Sequence, residues 1–354
     1  MLFLAGANLK PGCLRHSVDF RLARLQPPFR RQDKMRDDIL SNPASVDFLS
    51  RFVKARLYAN GVPQFSAPRE AHTGPVVLVS YEGVPRFVIK LIPFVRRFLK
   101  IISRSRYLAR RRLAVPRLLA WSFAGSRRHL RSYLLVEEFI PGRPSLGSEP
   151  DLRKLAEAFA ALHSVARRNL AFIAPALKRG GYFRRGPYIR FRLRQALALV
   201  TAIQEHLPSS TAGELARTFE ERARPLWRRS RHELLHGDVK RSHYVLTPDS
   251  AFMVDLDEVH FGDFASDLVP ALHLLCNEQE GQKSTFLETY FRRVRGATTG
   301  DFADSEPFYH GDYHLRAAGY TVRRLREGTL NEDDFRGVFS REIACCQGAL
   351  AGDA

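Results

Sequence analysis

Between Gly83 and Val136 the chain has no aspartate and no glutamate. A helix in that stretch cannot offer a carboxylate to a neighbouring cation, and its own cations have no local partner. Glycine is also scarce where a phosphate-cradling loop would need it: only Gly74 lies immediately before the first apolar strand. No window approaches 18 uninterrupted apolar residues, which argues against a membrane span. The four cysteines, Cys13, Cys276, Cys345 and Cys346, have no metal-ligand spacing, and adjacent Cys345 and Cys346 cannot easily close on each other. A reduced, cytoplasmic chain is the economical expectation. The apolar start, Met1 to Ala7, precedes its basic residues, the reverse of a secretory signal.

What is there is positive charge. The 354 residues carry 56 Lys and Arg against 37 Asp and Glu, a net of +19. Such a field favours anionic partners: nucleic acid, acidic lipid or phosphorylated glycan. It also fits a proteome-wide habit of arginine use without any partner. Residues 1–35 read as a basic arm, a weak transit-like segment, or an overlong start with Met35 as the initiator. Hydrophobic residues make up 45% of the chain, enough for one large domain or two lobes.

Periodicity predicts a helix over 36–57. Strands follow at Val76–Val79 and Phe87–Ile92, with a turn at Gly83-Val84-Pro85. A helix is predicted over 94–112 with Val95, Leu99 and Ile102 on one side. Tyr133 to Ile140 reads as a strand, ended by Pro141-Gly142, and Leu152 to Val165 as a helix. Strands with one helix come first and helices dominate afterwards. This order predicts two lobes with a hinge near 137–144: a basic arm at 1–35, a first lobe at 36–140, and a second lobe at 141–354.

The chemistry concentrates in His236-Gly237-Asp238-Val239-Lys240-Arg241-Ser242-His243, followed by an apolar strand and then Val254-Asp255-Leu256-Asp257. A loop carboxylate, a potential metal ligand five residues on, and a further carboxylate at a strand end suit phosphoryl transfer to a hydroxyl. Asp238 would orient the acceptor, Lys240 would reach a transferring phosphate, and His243 and Asp255 would hold Mg2+. Magnesium prefers oxygen, so His243 is a departure.

The segment resembles the aminoglycoside phosphotransferase-like kinases, whose pattern is His-Gly-Asp, four residues, Asn, and later Ile-Asp, six residues, Gly-Asp, three residues, Asp-Leu. Here the second part runs Val254-Asp255 to Gly262-Asp263 and Asp267-Leu268. The stretch Tyr133 to Gly142 and the helix ending Ala161-Leu162-His163 also resemble that family. Histidine in the asparagine place is similar to macrolide phosphotransferases and lipopolysaccharide core kinases. The resemblance implies an α+β, two-lobed protein-kinase-like fold: a small mixed lobe with an antiparallel sheet, and a larger, mostly helical lobe. It implies ATP and Mg2+ as cofactors, with Lys90, Glu137 and Glu138 on the nucleotide side. His236 and Asp267 would support the catalytic loop. In related kinases a glutamate on the next helix holds the strand lysine; here Glu70 or Glu82 would have to substitute, or Lys90 would rely on phosphate alone.

Two further stretches stand out. Residues 96–117 hold nine basic residues and no acid, suiting a solvated helix face or a surface lying on acidic lipid. Residues 178–194 hold seven basic residues interleaved with four aromatics. Arg184, Arg185, Arg190 and Arg192 there are candidates for binding an anionic, ring-containing acceptor; nucleic acid would fit the patch as well. A second His-Gly-Asp, at 310–312, lacks a following strand and reads as a coincidental loop. The expected function is a kinase acting on a sugar hydroxyl, with a glycan or glycolipid such as lipopolysaccharide core favoured by charge, at the inner face of the membrane or free in the cytoplasm. The alternatives are a catalytically impaired scaffold binding nucleic acid or membrane, an antibiotic kinase, and a protein kinase.

Overall fold

The computed structural model describes residues 38–57, 61–67, 76–123, 130, 132–165, 188–227, 233–276 and 279–352. The basic arm, Cys13, Glu70, Gly74, Arg184 and Arg185 lie outside them. The fold is α+β. It divides into a unit of residues 1–93 with 120–136, and a larger unit of 94–119 with 137–354.

The smaller unit begins with α1 (Pro43–Leu57). The predicted helix over 36–57 is interrupted, because Pro43 has no N–H to donate and Asn42 caps a new start. The Asn42 side chain accepts from the amides of Ala44 at 3.0 Å and Ser45 at 3.4 Å. Strands β1 (Gln64–Ser66), β2 (Val76–Tyr81), β3 (Val84–Ile92), β4 (Leu118–Ser122) and β5 (Tyr133–Glu138) form one sheet in the order β1-β2-β3-β5-β4. The β2–β3 pairing is antiparallel and turns through Glu82 and Gly83, both at positive φ, as a two-residue hairpin loop requires. Val77, Val79, Ile89, Leu91, Leu134 and Val136 form its core with Leu49 and Val53 of α1.

The larger unit contains α2 (Val95–Arg110), α3 (Glu149–His163), α4 (Tyr188–Ile203), α5 (Thr211–Leu226), α6 (Ala265–Leu274), α7 (Glu280–Arg293), α8 (Thr299–Arg326) and α9 (Glu332–Ala351). Two strand pairs accompany them: β6 (Glu233–Leu235) with β9 (His260–Gly262), and β7 (Tyr244–Leu246) with β8 (Ala251–Met253). Phe159 of α3 is fully buried. It meets the rings of Tyr244, Phe286 and His163 at centroid distances of 5.3, 5.7 and 5.8 Å. One aromatic hub thus locks α3 to β7 and α7.

Helix α2 is rotated from its expected setting. Leu99 is exposed, and the buried face is Phe98, Ile101, Ile102, Ser105 and Leu108 with Arg104. Arg97, Lys100 and Arg104, spaced at i, i+3 and i+7, share a face, and Arg97 and Arg104 bind Asp257.

The second His-Gly-Asp is not a loop. His310, Gly311 and Asp312 are buried inside α8. Asp312 pairs with Arg192 and, at 3.3 Å, with Arg316. Arg192 was a candidate acceptor contact; its guanidinium is instead buried on α4, held by this carboxylate. Burial opposes its charge, but Asp312 outweighs that and raises its pKa above the ordinary value. Asp312→Ala therefore leaves a buried cation uncompensated, at a cost of about 3–5 kcal/mol. Urea unfolding should show a large drop in midpoint at unchanged slope; an unchanged midpoint would contradict the pairing.

Candidate active site

The candidate catalytic loop, His236 to His243, is pinned from behind by one buried carboxylate. Asp267 lies in the first turn of α6. Its Oδ2 accepts the His236 amide at 2.6 Å and its Oδ1 the Gly237 amide at 3.0 Å. His163 Nε2 stands 3.3 Å from Oδ2, and His163 Nδ1 lies 2.8 Å from the Tyr290 hydroxyl. Burial alone would raise the Asp267 pKa, but His163, His236 and the Gly237 N–H outweigh it and hold the carboxyl below its ordinary range.

Gly237 has φ +81°, and a Cβ there would stand 2.5 Å from the Glu258 carbonyl oxygen. Only glycine fits the turn. The His236 ring donates through Nε2 to the Val254 carbonyl at 3.0 Å, tying the loop to the strand end that delivers Asp255. Burial lowers the His236 pKa and favours the neutral ring.

Beyond the glycine the chain presents Asp238, then Lys240, whose Nζ lies 2.8 Å from Asp238 Oδ2. Arg241–His243 form a single 3-10 turn. His243 donates from Nδ1 to the Asp238 carbonyl at 2.8 Å. That bond fixes the tautomer and leaves the Nε2 lone pair free. Nε2 stands 3.4 Å from Asp255 Oδ2. The Val254 amide donates to the His243 carbonyl at 2.9 Å, so the two ends of the β7–β8 hairpin are stitched together. Asp255 adopts a left-handed conformation, φ 56° and ψ 59°, costly for a non-glycine residue. Ligand atoms of Asp238, His243 and Asp255 lie within 4.8 Å of one another. Two carboxylates and an oriented imidazole nitrogen make a donor set that fits a divalent cation.

The strained Asp255 turn is clamped from α2. Arg97 Nε donates to Asp257 Oδ2 at 2.7 Å and its terminal nitrogen binds the same oxygen, while Arg104 donates to the Asp257 carbonyl. Burial opposes the charge on Arg97, but Asp257 restores it and raises its pKa.

Residues 65–303, more than half of the chain, match the family described as "Phosphotransferase enzyme family". The chain belongs to this family. No curated protein matches it in sequence. Among solved structures it is similar to an ethanolamine kinase from Plasmodium vivax, at 12% identity and a TM-score of 0.60, over 94% of this chain and 98% of that one. It is also similar to a spectinomycin phosphotransferase in complex with ADP and spectinomycin, at 13% and 0.59, over 86% and 98%. A macrolide 2′-phosphotransferase from Brachybacterium faecium gives 18% and 0.55, over 87% and 98%. At these identities the structural likeness establishes the shared kinase-like fold.

The phosphotransferase brings Asp238, Lys240, His243 and Asp255 together, with His236 and Asp267 behind them. Lys90 lies on β3 in the smaller unit, paired with Val76 of β2. Glu137 is buried at the end of β5. The Glu138 carboxylate is taken by Arg117, accepting from its amide at 2.9 Å and its Nε at 2.6 Å. Arg190 lies over the Trp227 ring at 4.8 Å.

Sequence reasoning missed His163, Tyr290, Asp257 and the two α2 arginines as supports. The acid-free helix beside an Asp-Leu-Asp was the available signal for the last three. It also missed His260, which fills the space behind Gly237. Its Nδ1 donates to the Glu258 carbonyl at 2.7 Å, and its Nε2 lies 3.2 Å from the Tyr188 hydroxyl. Burial pushes its pKa down to about 4. Between about pH 6.5, the ordinary histidine value, and pH 4, the unfolded chain protonates this ring while the folded chain does not. Stability is therefore lost as pH falls through that window. His260→Gln should lose less stability than wild type between pH 7 and pH 5 in urea titrations; parallel losses would contradict the assignment.

Proposed function

We propose that the protein transfers the γ-phosphoryl group of ATP to a hydroxyl of a sugar-containing small molecule. The observation that carries this reading is the convergence of Asp238, His243 and Asp255, with Lys240 on Asp238. Asp238 and Lys240 are both partly exposed, so a substrate can reach them. An acceptor hydroxyl would donate its proton toward Asp238, sharpening its attack on phosphorus. Lys240 would then exchange its contact with Asp238 for the phosphate oxygens and neutralise their charge. Mg2+ would be held by His243 and Asp255, and when bound it supplies charge neutralisation on the phosphates. Lys90 is the proposed nucleotide contact of the smaller unit. The ADP of the spectinomycin phosphotransferase complex supports nucleotide use.

For the acceptor, the +19 charge favours an anionic glycan or glycolipid, with Arg184 and Arg185 as proposed contacts. An antibiotic acceptor is the second reading, favoured by the likeness to spectinomycin and macrolide phosphotransferases. Arg192 is not an acceptor contact in this reading, since Asp312 holds it in the interior. Screening ATP consumption by the purified protein against lipopolysaccharide, free phosphorylated sugars, aminoglycosides, macrolides and ethanolamine separates these readings.

Asp238→Ala should lower turnover with the best acceptor by about 10²–10⁴, with thermal stability nearly unchanged. Near wild-type turnover would refute the assignment. His243→Asn should retain turnover while shifting metal preference toward Mg2+ over Mn2+, because an amide oxygen is a harder donor than imidazole. Loss of turnover with nucleotide binding intact would give the histidine another role.

A further inference from the structure

Three histidines outside the catalytic loop converge where α6 meets α8. His273 sits in the last turn of α6, and His310 and His314 stand one turn apart on α8. One ring nitrogen from each lies within 4.8 Å of the others. His310 is buried and the other two are half-buried. A lone histidine on such a face is an ordinary core residue, but the hydrogen bonds here point the other way.

His314 Nδ1 lies 2.8 Å from Glu342 Oε2, a carboxylate from α9. His310 Nε2 lies 3.2 Å from Glu306 Oε1, one turn earlier on α8. A neutral imidazole that donates to a carboxylate through one nitrogen offers a lone pair at the other. His314 Nε2 and His310 Nδ1 are those lone pairs. His310 Nδ1 accepts a hydrogen bond from His273 Nε2 at 2.8 Å, and a metal entering between them displaces that proton from His273, to Nδ1 or to solvent. The His273 ring is stacked flat on Tyr313, at 4.3 Å and 4°, which fixes its plane. Carboxylates on the far nitrogens of histidines, orienting their rings and raising their basicity, are the usual support around a metal.

We propose that His273, His310 and His314 form a transition-metal site, with Zn2+ as the best-matched ion. Three imidazoles suit Zn2+, Ni2+ or Cu2+ and reject Mg2+, which needs oxygen ligands. Two nitrogens on one tetrahedral zinc stand about 3.3 Å apart, given Zn–N bonds of about 2.0 Å. The His273–His310 pair therefore opens by about half an ångström to admit the ion. Glu306 and Glu342 offset its charge. The site would staple α8 to α6, the helix whose first turn carries Asp267. It is a different site from the catalytic loop, with a different metal, and does not depend on the proposed activity.

The test uses the full-length chain stripped with a chelator and titrated with Zn2+ against a chromophoric indicator, with melting temperature read in parallel. Wild type and His243→Asn should both retain a tight zinc that raises the melting temperature. His314→Gln should weaken that zinc at least about 100-fold, and Glu342→Gln about 10–100-fold through loss of orientation. Far-ultraviolet circular dichroism checks each fold; Glu342→Gln carries the test if His314→Gln does not fold. Unchanged zinc affinity in Glu342→Gln or in a folded His314→Gln, or loss of the tight zinc in His243→Asn alone, would overturn the proposal.

Discussion

One buried carboxylate organises the candidate site in the larger unit. Asp267 accepts two consecutive amides, those of His236 and Gly237, and is itself flanked by His163. Leaving those amides and that charge unpaired in the interior would be costly, so the loop has one low-energy setting. Everything downstream inherits it. The glycine turn aims Asp238, the 3-10 turn places His243, and the His236–Val254 bond brings the Asp255 strand end alongside. The anchoring residues come from α3, α6 and α7, so the geometry of the site is a consequence of how the larger unit packs.

The second organising feature is reversed charge on α2. A helix with no acid has arginines on the face where it meets the Leu256–Glu258 turn. Arg97 and Arg104 bind Asp257 two residues beyond Asp255. The strain of a left-handed aspartate is offset by a charge-assisted contact close to it. This is a different use of the helix from one that presents a carboxylate to the strand lysine. It accounts for part of the basic excess at 96–117 without any external anion.

Much of the site was legible because its spacing is local. His236 to His243 and Val254 to Asp257 are short segments in which loop, turn and strand follow in order, and residue types alone mark the donors. The strands were legible from apolar patterning as 76–79 and 87–92, but β3 begins at Val84, so Val84 and Pro85, read as turn, lie in the strand and the turn is Glu82-Gly83. What was not legible came from contacts between distant elements. The face of α2 depends on an ion pair 160 residues away, so apolar spacing alone favoured Leu99 and was wrong. Arg192 looks exposed in a run of arginines, and only the packing of α4 on α8 reveals Asp312. The His-Gly-Asp at 310–312 reads as a loop when only the missing strand after it is weighed, and the helix-compatible residues on both sides place it inside α8 instead. The three-histidine cluster was invisible because 37 residues separate His273 from His310.

The central proposal is that the pinned loop and the Asp255 turn bring His243 and Asp255 together to hold a divalent cation beside Asp238. Electron paramagnetic resonance of Mn2+ titrated with ATP into the protein tests it directly, in wild type, Asp255→Asn and Asp267→Asn. Asp255→Asn should lose most of the protein-bound signal by removing a ligand. Asp267→Asn should weaken it although it touches no metal, by releasing the loop. Equal Mn2+ binding by wild type and Asp255→Asn would contradict the account.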